Sequence, residues 1–157
     1  MGPAGSGKTA VGKLLASQLS WEFLDADDFH PPTNIEKMSR GIGLTDEDRL
    51  PWLESIREAI LQRQAQGLNV VLACSALKRS YRELLGVHSN SNIKLVYLKA
   101  SYELLRERLR ARTSHYAGEQ LLSSQLADLE EPNLGLILDA AGSPEEIVSE
   151  IRRHLEP

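Results

Sequence analysis

Apolar positions along the chain switch between two periods, and the switches lay out the elements. Val11, Leu14, Leu15 and Leu19 recur at helical spacing, with Lys13 and Gln18 off that stripe, so residues 9–19 are predicted as a helix. WEFLDAD, residues 21–27, reads as a short strand with acids at its carboxyl end, broken by Pro31 and Pro32. Residues 34–40 suit a short helix closed by Gly41. A longer helix follows, with Pro51 in its first turn, Leu53, Ile56, Ile60 and Leu61 on its apolar face, and Gly67 as its stop. NVVLAC, residues 69–74, is continuously apolar and β-branched, as a parallel strand covered on both faces should be.

The second half repeats the alternation. Helix is predicted at 79–85, strand at 93–100, helix at 101–112, a polar break at 113–118, helix at 119–129 and strand at 135–140. Ser143-Pro144-Glu145-Glu146 opens a last helix with serine at the cap, proline first and glutamate third. Strands alternating with helices predict an α/β fold of three layers, a parallel sheet flanked by helices. At 157 residues the chain is read as one domain, 1–157, able to bury a real core.

Composition narrows the class. The chain is 41% hydrophobic and 25% charged, ordinary for a folded domain. Its net charge of −4 argues against a general nucleic-acid or membrane-surface binder, which would be basic. No apolar run reaches the length of about 18 residues that spans a bilayer. One cysteine, Cys74, cannot form an internal disulfide, so a reducing cytoplasm is expected; at the end of an apolar strand it reads as a buried small side chain, not a nucleophile.

The chemistry begins at the first residues. Gly2-Pro3-Ala4-Gly5-Ser6-Gly7-Lys8-Thr9 fits G-x-x-x-x-G-K-[ST], a phosphate-binding loop. Gly2, Ala4, Gly5, Ser6 and Gly7 would turn backbone N–H groups onto phosphate oxygens, and the helix behind adds its positive end. Lys8 would reach the β- and γ-phosphates, and the Thr9 hydroxyl would ligate Mg²⁺. The N-K-x-D motif of GTPases is absent from the chain. LDADDFH then sets Asp25, Asp27, Asp28 and His30 at the mouth of a strand, where ligands bind in open α/β sheets. In a strand Asp25 and Asp27 point the same way. One would help hold Mg²⁺; the other, Asp27, would accept the proton of an attacking hydroxyl. Asp28 reads as a solvated acid. These features together point to a small-molecule kinase.

MGPAGSGKTAVG, FLDADDFHPPTNIEKMSRGIGLTDEDRLPWL, VVLACSALKRSYRELL, VYLKASYELLRERLRAR followed by SHY, and LLSSQLADLEEP span nearly the whole chain and resemble the gluconokinases, small P-loop kinases related in fold to shikimate and adenylate kinases. The resemblance implies transfer of the γ-phosphoryl group of ATP to D-gluconate, with Mg²⁺, in the cytoplasm and in a homodimer. By position it implies Lys8, Asp27 and Arg112 as catalytic residues, Thr9 and Asp25 at the metal, and Arg108 with the phosphate loop at ATP. It implies His30, Arg49, Lys78, Arg82 and His115 at the substrate, beside Asp27. Ser75 joins Lys78 at a strand's mouth. The bland readings stay open. Arg49 could pair with Asp46 or Glu54, Arg82 with Glu83, and Arg108 and Arg112 with Glu103 and Glu107. Residues 108–120 resemble a lid, with Tyr116-Ala117-Gly118 departing from the family's lid tip. Two alternatives accompany this reading: a kinase for another sugar acid or shikimate, and a nucleotide-binding protein with little activity.

Four strands are legible, and a phosphate loop of this kind should follow a fifth. Met1 stands where the resemblance places a methionine just before the loop, at the end of a hydrophobic strand. The expectation is that this strand lies upstream of an internal start, and that the 157-residue chain alone is poorly stable.

Overall fold

The computed structural model describes residues 1–112 and 115–155, and the side chains of 115–117 fall outside that description. Helices α1 (Lys8–Leu19), α2 (Pro32–Ser39), α3 (Asp46–Ala65), α4 (Arg79–Leu84), α5 (Tyr102–Arg110), α6 (His115–Asp128) and α7 (Pro144–Leu155) alternate with strands β1 (Glu22–Asp25), β2 (Val70–Ala73), β3 (Val96–Lys99) and β4 (Leu136–Asp139). A single 3₁₀ turn, Ala26–Phe29, follows β1. β1 pairs parallel with β2, Asp25 opposite Ala73, and β3 pairs parallel with β4, Lys99 opposite Asp139. The α/β class and the parallel pairing are those expected from the alternation.

Between the two pairs stands the backbone of Met1 and Gly2. The Met1 nitrogen donates to the Val96 carbonyl, Leu98 N–H donates to the Met1 carbonyl at 2.9 Å, and Gly2 N–H donates to the Ser75 carbonyl at 3.3 Å. These bonds link β3 to the loop after β2, so the phosphate loop leaves from the middle of the sheet.

Packing follows the predicted stripes except at Leu61, which is 49% exposed and lies off the buried face of α3, where Trp52 and Ala59 take part instead. Val11 and Leu15 of α1 meet Ile147, Val148 and Ile151 of α7 over Leu98, while Trp52, Leu53, Ile56 and Ile60 of α3 meet Tyr81 and Leu85 on the other side. A smaller cluster, Leu105, Leu109 and Leu122, joins α5 to α6 beside Ala4 of the phosphate loop. Gly12 lets α1 lie close on the sheet, since an added Cβ would come within 2.7 Å of the Phe23 ring.

Several boundaries differ from expectation. β1 ends at Asp25, so Asp27 stands in the 3₁₀ turn and not in the strand predicted at 21–27, and β3 starts at Val96 and not at 93. α3 starts at Asp46, with Thr45 and Asp48 exchanging the two bonds of a capping box. Pro51 therefore lies inside the helix and not in its first turn. The capping box outweighs the local preference of proline for a helix start. α6 begins at His115, ahead of the predicted residue 119. The predicted cap of α7 is present: Ser143 Oγ accepts Glu146 N–H at 3.2 Å and Glu146 Oε2 accepts Ser143 N–H at 2.9 Å.

Candidate active site

The phosphate loop bends through left-handed backbone that only glycine adopts freely. Gly5 and Gly7 have φ of 86° and 96°. Gly7 caps α1, so the first N–H groups of that helix face the loop's interior. The end of β1 delivers the acids. Asp25 Oδ1 accepts the Asp27 N–H at 3.0 Å, which turns the chain into the 3₁₀ turn and carries Asp27 forward.

These two segments border one cavity of about 450 Å³, within the usual range for a small ligand. Gly5, Gly7, Lys8 and Thr9 line one side, Asp25, Asp27 and His30 another, with Arg112 approaching from the turn after α5 and Gln125 from α6. Ala4 and Ser75 also border it. Lys8 Nζ rests on the Pro3 carbonyl at 3.0 Å.

The charges perturb one another. Burial holds the Lys8 ammonium below its ordinary pKa, with Arg112 adding repulsion and Asp27 and Asp25 opposing the shift. Partial burial raises the Asp27 carboxyl, helped by Asp25 and opposed by Lys8 and His30. A carboxylate with a raised pKa is the better proton acceptor. His30 is lowered, by burial first. Its ring stacks on Trp52 at 4.5 Å between centroids. The buried Asn34 holds its Nδ2 at 2.9 Å from the Asp48 carbonyl and 3.3 Å from His30 Nδ1. An amide nitrogen only donates, so His30 Nδ1 accepts, and the neutral ring carries its proton on Nε2.

Arg49 and Lys78 stand beyond the cavity wall, in a charged cluster. Arg49 Nη1 donates to Tyr81 Oη at 2.7 Å and to Asp128 Oδ2 at 3.2 Å. Lys78 Nζ donates to Asp46 Oδ1 at 2.9 Å and lies 3.9 Å from Asp128 Oδ1. Asp46 also accepts from Tyr81 Oη. The bland reading of Arg49 thus holds in part, since Asp46 lies 4.0 Å away. Arg108 Nη1 reaches the Gly5 carbonyl at 3.1 Å and its Nη2 the Ala140 carbonyl at 2.7 Å, so it braces the phosphate loop from outside.

Arg82 is placed differently from the sequence expectation. It is 2% exposed, its Nη1 donates to the Ala76 and Leu77 carbonyls at 2.8 and 3.0 Å, and its Nη2 donates to the Glu130 carbonyl at 2.8 Å. The guanidinium holds the loop after β2, where Ala76 has a left-handed φ of 46°, against the end of α6. Arg82→Met should destabilise the fold by about 2–4 kcal/mol, because three carbonyls lose a charged donor. Thermal unfolding checks this; an unchanged Tm with a raised KM for the acceptor would return Arg82 to the substrate site.

The His115 side chain lies outside the described residues, as does part of the lid expected at 108–120. Cys74 is buried, and burial pushes its thiol up to about 11, so it stays protonated and unreactive near neutral pH.

Sequence reasoning missed Gln125, Asn34, Trp52 and Tyr81. Gln125 belongs to LLSSQLADLEEP, a segment with a helical period, and itself carries no charge to mark a role. The others act through neighbours that only the fold supplies.

A glycine-rich loop with its lysine, a carboxylate facing it across one cleft and an arginine from the turn after α5 define a P-loop kinase of the small-molecule type. Residues 4–156 match the shikimate kinase family. A gluconokinase of Gluconobacter oxydans is 42% identical over 159 residues, covering 99% of this chain and 89% of that protein. The Arabidopsis thaliana gluconokinase is 41% identical over 165 residues, covering 96% and 87%. The crystal structure of a gluconokinase from Sinorhizobium meliloti superimposes with a TM-score of 0.85 at 43% identity, covering 96% of this chain and 85% of that one. The chain belongs to the gluconokinase family, within the wider family of shikimate kinase type.

Proposed function

We propose that this protein transfers the γ-phosphoryl group of ATP to D-gluconate, giving 6-phospho-D-gluconate. The observation that carries the reading is the shared cleft: Lys8 and Thr9 of the phosphate loop line the same cavity as Asp27 and His30. Identity of 41–43% to three gluconokinases supports the choice of acceptor.

The left-handed glycines of the loop leave room for phosphate, and the donors present suit a nucleotide with Mg²⁺. Gly5, Ser6, Gly7, Lys8 and Thr9 would hold the nucleotide, with Arg108 fixing the loop from behind; the Gly2 N–H is taken by the Ser75 carbonyl and the Ala4 N–H by Gln125 Oε1, so these two backbone donors, expected at phosphate, serve the fold instead. The Thr9 hydroxyl and Asp25 carboxylate are hard oxygen donors suited to Mg²⁺. Bound there, Mg²⁺ supplies charge neutralisation at the phosphate oxygens. Asp27 takes the proton of the acceptor hydroxyl as its oxygen attacks phosphorus. Lys8 and Arg112 balance the negative charge that moves toward the departing ADP. The Nε2–H of His30 donates to a sugar oxygen, and Arg49 and Lys78, steadied by Asp46 and Asp128, attract the acid end of the substrate. His115 is proposed to complete the substrate site from the lid.

A coupled assay of ADP release with gluconate, other sugar acids, shikimate and glucose tests the reading. Gluconate should give the highest kcat/KM, and glucose, lacking the carboxylate, at least about 10²-fold less. Preference for shikimate or another acid would overturn the choice of acceptor. Nucleotide binding without turnover of any acid would overturn the enzyme reading. The proposal extends to one kinase domain over 1–157, working in the cytoplasm as a homodimer. No helix among the described residues is long and apolar enough to cross a membrane.

A further inference from the structure

Helix α6 touches the phosphate loop through Gln125, whose Oε1 accepts the Ala4 N–H at 2.6 Å. The same side chain lines the cavity with Lys8, Thr9, Asp27 and Arg112. A backbone N–H can only donate, so this bond decides which way the carboxamide is turned. The oxygen is spent on the loop. The nitrogen, with two hydrogens, is the remaining end of the planar group, and it donates to no described residue.

The helix beneath is held on both sides. Leu122 and Leu126 pack α6 against Leu105 and Leu109 of α5. Three residues along from Gln125, Asp128 binds Arg49 and approaches Lys78. Residues three apart share a helix face. One face of α6 therefore meets the nucleotide loop at Gln125 and the cationic pair beyond the acceptor acids at Asp128. A neutral donor set between those two places, and oriented by the loop itself, matches what a phosphoryl group in transit requires.

We propose that Gln125 donates a hydrogen bond from Nε2 to an oxygen of the transferred phosphoryl group while its Oε1 stays on the Ala4 amide. The contact adds an uncharged donor to Lys8 and Arg112. In the step itself the acceptor oxygen bonds to phosphorus, the bond from phosphorus to the ADP oxygen breaks, and the hydroxyl proton passes to Asp27. Gln125 exchanges no proton. The inference rests on the kinase reading above, though not on the identity of the acceptor.

Gln125→Glu separates this role from loop bracing. The glutamate keeps an oxygen for the Ala4 N–H and nearly the same shape, but it loses the donor and brings negative charge to the phosphate. Gln125→Ala removes both ends. Calorimetry with Mg²⁺ should show Gln125→Glu binding the β,γ-imido analogue of ATP about tenfold or more weakly than wild type, with ADP affinity changed less than about threefold. Its kcat should fall about tenfold or more, and Gln125→Ala should show the same contrast between the two nucleotides to a smaller degree. A Gln125→Glu enzyme matching wild type, or equal weakening of ADP and the analogue in either variant, would overturn the proposal. Lack of gluconate turnover by the wild type would count against the acceptor alone, because the nucleotide comparison needs none.

Discussion

Asp27→Asn is expected to lower kcat for gluconate by about 10²- to 10⁴-fold while ATP affinity stays within a few fold. The substitution keeps size and removes the proton acceptor. It should also fail to cost stability. Partial burial and the neighbouring Asp25 raise the Asp27 carboxyl above its unfolded value. The folded state thus binds that proton more readily than the unfolded one, and the group's contribution to stability falls as pH rises from the ordinary carboxylate range through the raised value. At neutral pH the ionised carboxylate is a burden that Asn lacks. Screening by cavity water keeps the gain small, on the order of 1–2 °C in Tm. Turnover and thermal unfolding measured on one preparation check both halves. A rate within fivefold of wild type would remove Asp27 as the base, and a large fall in Tm would make it structural.

Lys8→Ala should be the other severe loss, about 10²- to 10³-fold in kcat/KM for ATP, because one charged donor to the moving phosphoryl group disappears. Lys8→Arg should not rescue it, since a planar fork does not replace a compact ammonium in a tight loop. The fold should tolerate the alanine. Burial lowers the Lys8 pKa, so the folded state holds this proton less firmly than the unfolded chain, and removing the ammonium removes that penalty. Activity of Lys8→Ala within about fivefold of wild type would contradict the role.

The same two shifts shape the pH profile of kcat/KM. Asp27 must be ionised, so the acid limb should stand above the ordinary carboxylate range. Lys8 must be charged, so the alkaline limb should stand below the ordinary lysine range. The plateau is narrowed from both sides. In Asp27→Asn the residual activity should lose its acid limb.

Local physics made much of this molecule legible in one dimension. The phosphate loop is a contiguous string whose glycines and lysine act through backbone geometry within a few residues, so G-x-x-x-x-G-K-T could be read without a fold. The alternation of helical and strand periods carried the class, because each apolar stripe must find a partner layer. Ser143 to Glu146 is a cap complete in four residues and legible as one; Thr45 to Asp48 is equally local but stays unread, because Pro51 draws the expected start of α3 past its real one.

What the chain could not show by itself is which distant residues share a neighbour. Arg82 and Arg49 look alike as basic residues beside acids, yet one is buried on three carbonyls and the other stands in an ion cluster. Burial separates them, and burial is a property of the assembled layers. The tautomer of His30 depends on Asn34 and its ring orientation on Trp52, placed in turn by α2 and α3. Gln125 meets Ala4 across 121 residues. Such contacts arise only when α5, α6 and the sheet have packed, since a neutral side chain carries no sign of its partner until a donor is set against it.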